Sequence, residues 1–197
     1  MDEITIRKAT SLNDLRRVYR LVHYIYYRTG ISKQSKNGLM IHHPDQDVVP
    51  ESHIFIAEMG EKMVGTLTFS FDNQFGLMVD DDFRDEINFY RSIYPRVAAV
   101  WRFAILPEYQ SDLRIMRKLI GVSALYLKWY DVSVCFFTIS PEHALIYERI
   151  MNMEEVSRGK DSNRLIKAEC ADVVLMKLYP DKLPARWKTT PESEVLV

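Results

Sequence analysis

The sequence predicts an α/β domain, with a mixed central sheet of about six to seven strands flanked by helices. Three observations carry this. Strand-patterned runs alternate along the chain with amphipathic stretches at helical spacing. Two of the strand runs are joined by a three-residue turn, which makes an antiparallel hairpin. The later strands are apolar on both faces and separated by helix-length segments, as crossover connections require.

Residues 4–9 alternate apolar and polar (Ile4 and Ile6 against Thr5 and Arg7), a strand pattern. Ser11 with Asp14 three positions on marks a helix start. Leu12, Leu15, Val18, Tyr19, Val22, Ile25 and Tyr26 then line one helical face up to a stop at Gly30. Residues 31–52 lack periodicity and predict a long loop, and loops of that length inside a compact domain are often functional. The loop holds His42, His43, Asp45 and Asp47, but no spacing typical of a metal site, so no metal is expected.

His53–Glu58 and Met63–Phe71 predict the hairpin around Gly60-Glu61-Lys62. A helix over Asp80–Tyr90 carries Phe83, Ile87 and Tyr90, with Asp80, Asp81 and Asp82 as a solvated, dipole-favoured start. Val97–Leu106 reads as a central strand ended by Pro107. A helix follows, with Leu113, Met116, Ile120, Ala124 and Leu127 on one face. Val132–Ile139 is a second buried strand, and Ser140-Pro141 starts another helix, with Ser as cap and Pro at the first position. Val173–Leu178 is the last strand. The organisation expected is one domain over 1–179 and a C-terminal tail over 180–197 with little core.

The chain has 197 residues, 47% hydrophobic, and a net charge of -1, so nothing in the overall balance points to nucleic acid. Its two cysteines, Cys135 and Cys170, read as small buried hydrophobes in a reducing compartment. The first residues lack a signal-peptide pattern, and no run approaches the ~18 apolar residues of a membrane span. A cytoplasmic protein without an integral membrane segment is expected; the oligomeric state is left open.

The most informative residue is Arg102, a charge in the middle of an apolar strand. An unpaired buried charge is costly, so Arg102 must either reach a cleft or meet an acid such as Glu58 or Glu148.

The stretch Val100-Trp101-Arg102-Phe103-Ala104-Ile105-Leu106-Pro107 and the helix start Ser140-Pro141-Glu142-His143-Ala144-Leu145-Ile146-Tyr147-Glu148-Arg149 resemble the GNAT acyltransferases. Within that group they are similar to the N-acyl amino acid synthases and, more distantly, to the acyl-homoserine-lactone autoinducer synthases. The resemblance covers most of residues 1–178 and implies the GNAT fold. It also implies an acyltransferase that moves an acyl group from a thioester donor to an amine. The donor would be acyl carrier protein or acyl-CoA, used as a co-substrate with no tightly bound cofactor. The acceptor would be an amino acid or a similar small amine. An ordinary acetyl-CoA-dependent N-acetyltransferase is the first alternative, and an inactive acyl- or protein-binding domain the second.

The resemblance places an oxyanion-binding backbone N–H in the 101–104 stretch. It makes Arg102 the residue that orients the acceptor or the catalytic constellation, Tyr147 the acid for the leaving thiolate, and His143 a base or a holder of the pantetheine arm. Phe103, Ala104, Ile105, Gln110, Ser111, Asp112, Leu113, Arg114 and Arg117 become the donor-binding positions. Bland readings stand beside these: Tyr147 as core aromatic, His143 as exposed first-turn residue, Arg114, Arg117 and Lys118 as a solvated face. Two departures from the pattern matter. The turn after the central strand, Gln110-Ser111-Asp112-Leu113-Arg114-Ile115-Met116, has no glycine, although glycines let backbone N–H groups approach a pyrophosphate. Ala99 and Val100 stand where the synthases usually carry a glutamate, so another group or a water must deprotonate the amine.

Overall fold

A computed structural model describes residues 3–160 and 172–188, and the backbone of 195–196. Among these residues the chain forms, in order, β1 (Ile4–Lys8), α1 (Leu12–Arg28), β2 (Ser52–Met59), β3 (Lys62–Phe71), α2 (Asp80–Ile93), β4 (Val97–Ile105), α3 (Leu113–Trp129), β5 (Val134–Ile139), α4 (Pro141–Met151), β6 (Glu154–Lys160), β7 (Asp172–Leu178) and the two-residue β8 (Val195–Leu196). The strands make one mixed sheet in the order β6-β7-β5-β4-β3-β2-β1-β8. β4 runs parallel to β5 and β1 to β8, and every other pair is antiparallel. Seven strands of five or more residues match the expected count, and β8 is a short addition at the edge.

The capping signal at Ser11 is realised, since its hydroxyl accepts from the Asp14 N–H at 3.1 Å. Thr29 then closes α1 ahead of Gly30, whose φ of 74° only glycine adopts freely. Helices α1 and α2 cover one face of the sheet. Val18, Leu21, Val22 and Ile25 of α1 pack on Ile54, Ile56 and Ala104, and Phe83, Ile87 and Tyr90 of α2 pack on Val97, Ala99, Val134 and Phe136. Helices α3 and α4 cover the other face.

α3 departs from the single-face reading. Ile115, Leu119, Val122 and Tyr126 join the core under β1–β4, while Met116, Ile120 and Ala124 pack towards α4, β5 and β7. The helix fills the corner between two clusters, so it needs two apolar stripes, and Leu113 stays exposed. Strand β6, with the sequence Glu154-Glu155-Val156-Ser157-Arg158-Gly159-Lys160, escapes the sequence reading because it is a charged edge strand, the usual defence against edge-to-edge pairing. The C-terminal segment contributes more core than expected. Leu183 and Trp187 are buried against the α3–α4 side, and the Trp187 indole N–H donates to Ile150 O at 2.6 Å.

Asp80 also corrects the picture of a solvated helix start. It is buried, accepts from the Leu77 N–H at 2.8 Å and pairs with Arg91, which holds Asp72 as well. A Cβ on Gly76 would collide with the Asp80 carboxylate, and the φ of 75° there excludes most side chains in any case. Cys135 is fully buried, as expected, and burial pushes its thiol well above the ordinary range. Cys170 lies outside the described residues.

His53 sits in a cage of Tyr126, Phe71 and Tyr130, with ring centroids at 4.8, 5.7 and 5.8 Å, and neither ring nitrogen has a hydrogen-bond partner. Burial, with a smaller push from Lys8, lowers its pKa from 6.5 to about 4. The folded state therefore binds this proton less readily than the unfolded chain. Its stabilising effect is complete above the unfolded value of 6.5 and is lost as pH falls towards 4. Urea unfolding at pH 7.5 and pH 5 should show a loss of about 2 kcal/mol attributable to this group. His53→Phe should flatten that difference, and an unchanged pH dependence in the variant would show that His53 does not titrate this way.

Candidate active site

The site is built around an irregularity in β4. Thr66 pairs with Ala104, but Thr68 pairs with Trp101, so one β3 residue faces two β4 residues, Arg102 and Phe103. This is a β-bulge, and Arg102 occupies it with a left-handed φ of 50°. A side-chain-bearing residue holds that conformation only where its surroundings over-determine it. On the other edge of β4 the ladder with β5 stops at Ala99 and Phe136. Beyond that pair the two parallel strands carry no further ladder, which leaves a wedge of unpaired strand between Val100–Ile105 and Phe137–Ile139.

Phe137 belongs to the packing on both sides of this wedge. With it stand Phe103 and Ile105 from β4, Met116 and Ile120 from α3, and Tyr147 and Ile150 from α4. The Ala104 side chain turns the other way, into the α1 cluster, so only its backbone can serve the wedge. Tyr147 is half-buried, its phenol has no hydrogen-bond partner among the described residues, and burial raises its pKa above the usual phenol value. His143, one turn earlier on α4, is exposed, and its Nδ1 lies 2.7 Å from Ser140 Oγ.

The first turn of α3 lies at the end of β4. Gln110 donates to Ile105 O at 3.2 Å and fixes the turn. Asp112 caps the helix, accepting from the Arg114 N–H at 3.0 Å, and the Arg114 guanidinium folds back onto the same carboxylate. Arg114 holds the Asp112 carboxyl below the usual range. Ser111, Leu113 and Arg117 are exposed beside it.

The opposite face of the bulge is closed by the loop before β2. Arg102 is 4% exposed, and its guanidinium pairs with both oxygens of Asp47, with the second contact at 2.8 Å. It also donates to His42 O. The expected partners were Glu58 or Glu148, but Glu58 is taken by Arg7 and Arg17 at 2.9 and 2.8 Å. The Arg102 charge lies 3.9 Å from the Trp101 ring centroid and 5.3 Å from that of Tyr19. Tyr19 donates to Asp47 at 2.6 Å, and burial with that bond pushes its phenol above the ordinary range. Trp101 donates to Ser70 Oγ at 3.0 Å. Gln46 is anchored through Gly76 O and Asn73.

The long loop is thus pinned, and His42 and His43 are set edge-on against Trp101. Among the described residues no three His, Cys, Asp or Glu side chains are grouped to hold a metal. The sequence reading missed Asp47, Tyr19, Trp101 and Ser70 as members of the site. The signal present was a buried-strand arginine needing an acid, with an aspartate-bearing loop of unusual length upstream.

The family described as N-acyl amino acid synthase FeeM matches residues 17–179. Among solved structures, FeeM, an N-acyl amino acid synthase from uncultured soil microbes, is 17% identical and superposes with a TM-score of 0.77 over 100% of this chain and 97% of that one. An N-acetyltransferase from Staphylococcus aureus is 14% identical, with a TM-score of 0.60 over 91% and 99%. A GNAT family acetyltransferase from Elizabethkingia anophelis with acetyl-CoA bound is 12% identical, with a TM-score of 0.56 over 91% and 99%. These likenesses give the GNAT fold. Comparison with curated protein sequences gives no match. Among the described residues no helix is long and apolar enough to cross a membrane.

Breaking the Arg102–Asp47 pair on one side leaves a buried charge uncompensated, which costs about 3–5 kcal/mol. Asp47→Leu and Arg102→Met should each lose that much in urea unfolding. The double variant should lose clearly less than the sum, because it buries no charge. Additive losses would mean that the two side chains do not stabilise each other.

Proposed function

The chain belongs to the N-acyl amino acid synthase FeeM family, and from that premise we propose that this acyltransferase joins a long-chain acyl group, carried as a thioester on acyl carrier protein, to the amine of an amino acid or a similar small molecule. The observation that carries the choice of donor is the start of α3. In a coenzyme A enzyme the N–H groups of such a turn receive a pyrophosphate. Here the Asp112 carboxylate already caps the helix, and no glycine lets the backbone come closer. A phosphopantetheine arm on a protein brings no adenosine pyrophosphate to that point. Exposed Leu113 and Arg117, next to Arg114, suit an acidic carrier with an apolar contact.

The chemistry follows from the wedge. A pantetheine arm laid along the free edge of β4 meets backbone groups left without a ladder, and the apolar side chains around Phe137 take the acyl chain. A backbone N–H at the bulge supplies the donor for the carbonyl oxygen as it becomes an oxyanion. The amine nitrogen bonds to the carbonyl carbon, the C–S bond breaks, and Tyr147, held protonated at neutral pH, gives its proton to the thiolate. Arg102 is then a positioning residue, since its guanidinium is spent on Asp47 and His42 and holds the bulge in place. His143, exposed one turn before Tyr147 on α4, is the side chain we assign to contact the arm.

Purified protein should be incubated with long-chain acyl carrier protein, long-chain acyl-CoA or acetyl-CoA and a mixture of amino acids, with product identified by mass spectrometry and thiol release followed in time. An N-acyl amino acid is expected, formed most efficiently from acyl carrier protein. Arg114→Glu with Arg117→Glu should raise KM for that donor about tenfold or more, and Tyr147→Phe should lower kcat about 100-fold with the fold intact. Preference for acetyl-CoA would make the protein an ordinary acetyltransferase, and product from no donor would refute the reading.

A further inference from the structure

The aminolysis described above needs a base, and β4 does not supply one. Ala99 is fully buried against Phe83, Ile87 and Phe136 on the α2 side, and Val100 packs under α3. The nearest strand positions to the bulge therefore offer methyl groups where a carboxylate would be useful.

The pinned loop offers something else. His43 holds a left-handed φ of 51°, a conformation that a residue with a side chain adopts only under constraint. Its ring stands edge-on to Trp101 with centroids 5.7 Å apart, and Trp101 directly precedes the bulged Arg102. Its Nε2 is buried, lacks an aligned hydrogen bond, and lies 3.3 Å from Asp81 Oδ2 at the start of α2. The imidazole thus lies against Trp101, next to the bulge, with the Asp81 carboxylate beside its Nε2. An acid this close favours keeping the neutral ring's proton on Nε2 through its charge, although no aligned hydrogen bond holds it there. With the proton on Nε2, towards Asp81, the lone pair is on Nδ1.

We propose that His43 is the general base of the transfer reaction and that Asp81 is its positioning residue. This rests on the acyltransferase reading given above. The acceptor enters as an ammonium and gives one proton to Nδ1 of His43. The neutral amine then forms the C–N bond, the C–S bond breaks, and the thiolate takes its proton from Tyr147. The second proton of the attacking nitrogen returns to the Tyr147 phenolate through water, and His43 releases its proton to solvent.

The charges around His43 suit the role. Asp45 and Asp47 face it from its own loop beside His42, Asp81 from α2, and Arg102 from β4. Burial, assisted by Arg102, outweighs the three carboxylates and keeps the imidazole neutral below its ordinary pKa, so it is ready to accept a proton at neutral pH.

The test is the pH profile of amino acid acylation by the full chain with its acyl donor. His43→Gln should lower kcat by about 100-fold to 10,000-fold near neutral pH. Its remaining activity should climb as pH rises towards the pKa of the acceptor amine, where the wild type has levelled off. Asp81→Asn should move the acidic limb of the profile while the urea midpoint stays near that of the wild type. Nitrogen NMR of the wild-type imidazole should show Nδ1 unprotonated at pH 7.5, a readout that survives even if a variant folds poorly. Activity of His43→Gln within twofold of wild type, an unchanged profile, or a proton on Nδ1 would each overturn the proposal while leaving the acyltransferase intact. A wild-type protein that transfers nothing from any donor would overturn both.

Discussion

The buried ion pair between Arg102 and Asp47 is the constraint on which the rest of the site depends. Arg102 sits where β4 must depart from regular pairing, in a backbone conformation that a side chain would normally avoid. The guanidinium is held by the Asp47 carboxylate, the His42 carbonyl and the Trp101 ring, so the bulge is fixed in one geometry. A pair of this kind contributes little net stability over well-packed apolar residues, because desolvating both charges is costly. Its contribution is specificity of position. It ties a loop 55 residues away in sequence to the irregular point of the central strand.

Two consequences follow on opposite faces of the sheet. Towards β5, where pairing has already ended at Ala99 and Phe136, the parallel strands part beside apolar side chains of α3 and α4. Towards α1 and α2, the same side chain pulls the 40–47 loop down, sets His42 and His43 edge-on to Trp101, and brings His43 to Asp81. Both thus meet at one residue, Arg102. At the start of α3 an aspartate caps the first turn, and no glycine stands there.

Helix α4, which carries Tyr147, is braced from outside. Trp187 and Arg186 both donate to Ile150 O, and Asn152 donates to Lys182 O. The segment after β7 therefore helps hold Tyr147 against the wedge. A stretch rich in proline and charge looks like a tail when its few apolar residues are counted, yet Leu183 and Trp187 are enough to dock it.

Much of the architecture was legible in the sequence because it rests on local rules. Periodicity located α1, α2, α3 and α4, the cap at Ser11 and Pro141 set helix starts, and doubly apolar runs marked β4 and β5. The edge strand β6 was not legible, since its mixed charges face solvent and it carries little apolar pattern. In the site, Arg102 and Tyr147 were marked by residue type and by resemblance. The partner of Arg102 was not, because Glu58, Glu148 and Asp47 are equivalent carboxylates until the chain is folded. Tertiary structure alone decided that Asp47 reaches the bulge, that Arg102 spends its charge there, and that His43 leaves a polar loop to stand between Trp101 and Asp81. A sequence encodes which groups are costly to bury unpaired. Only the closing of distant segments determines which group answers each of them.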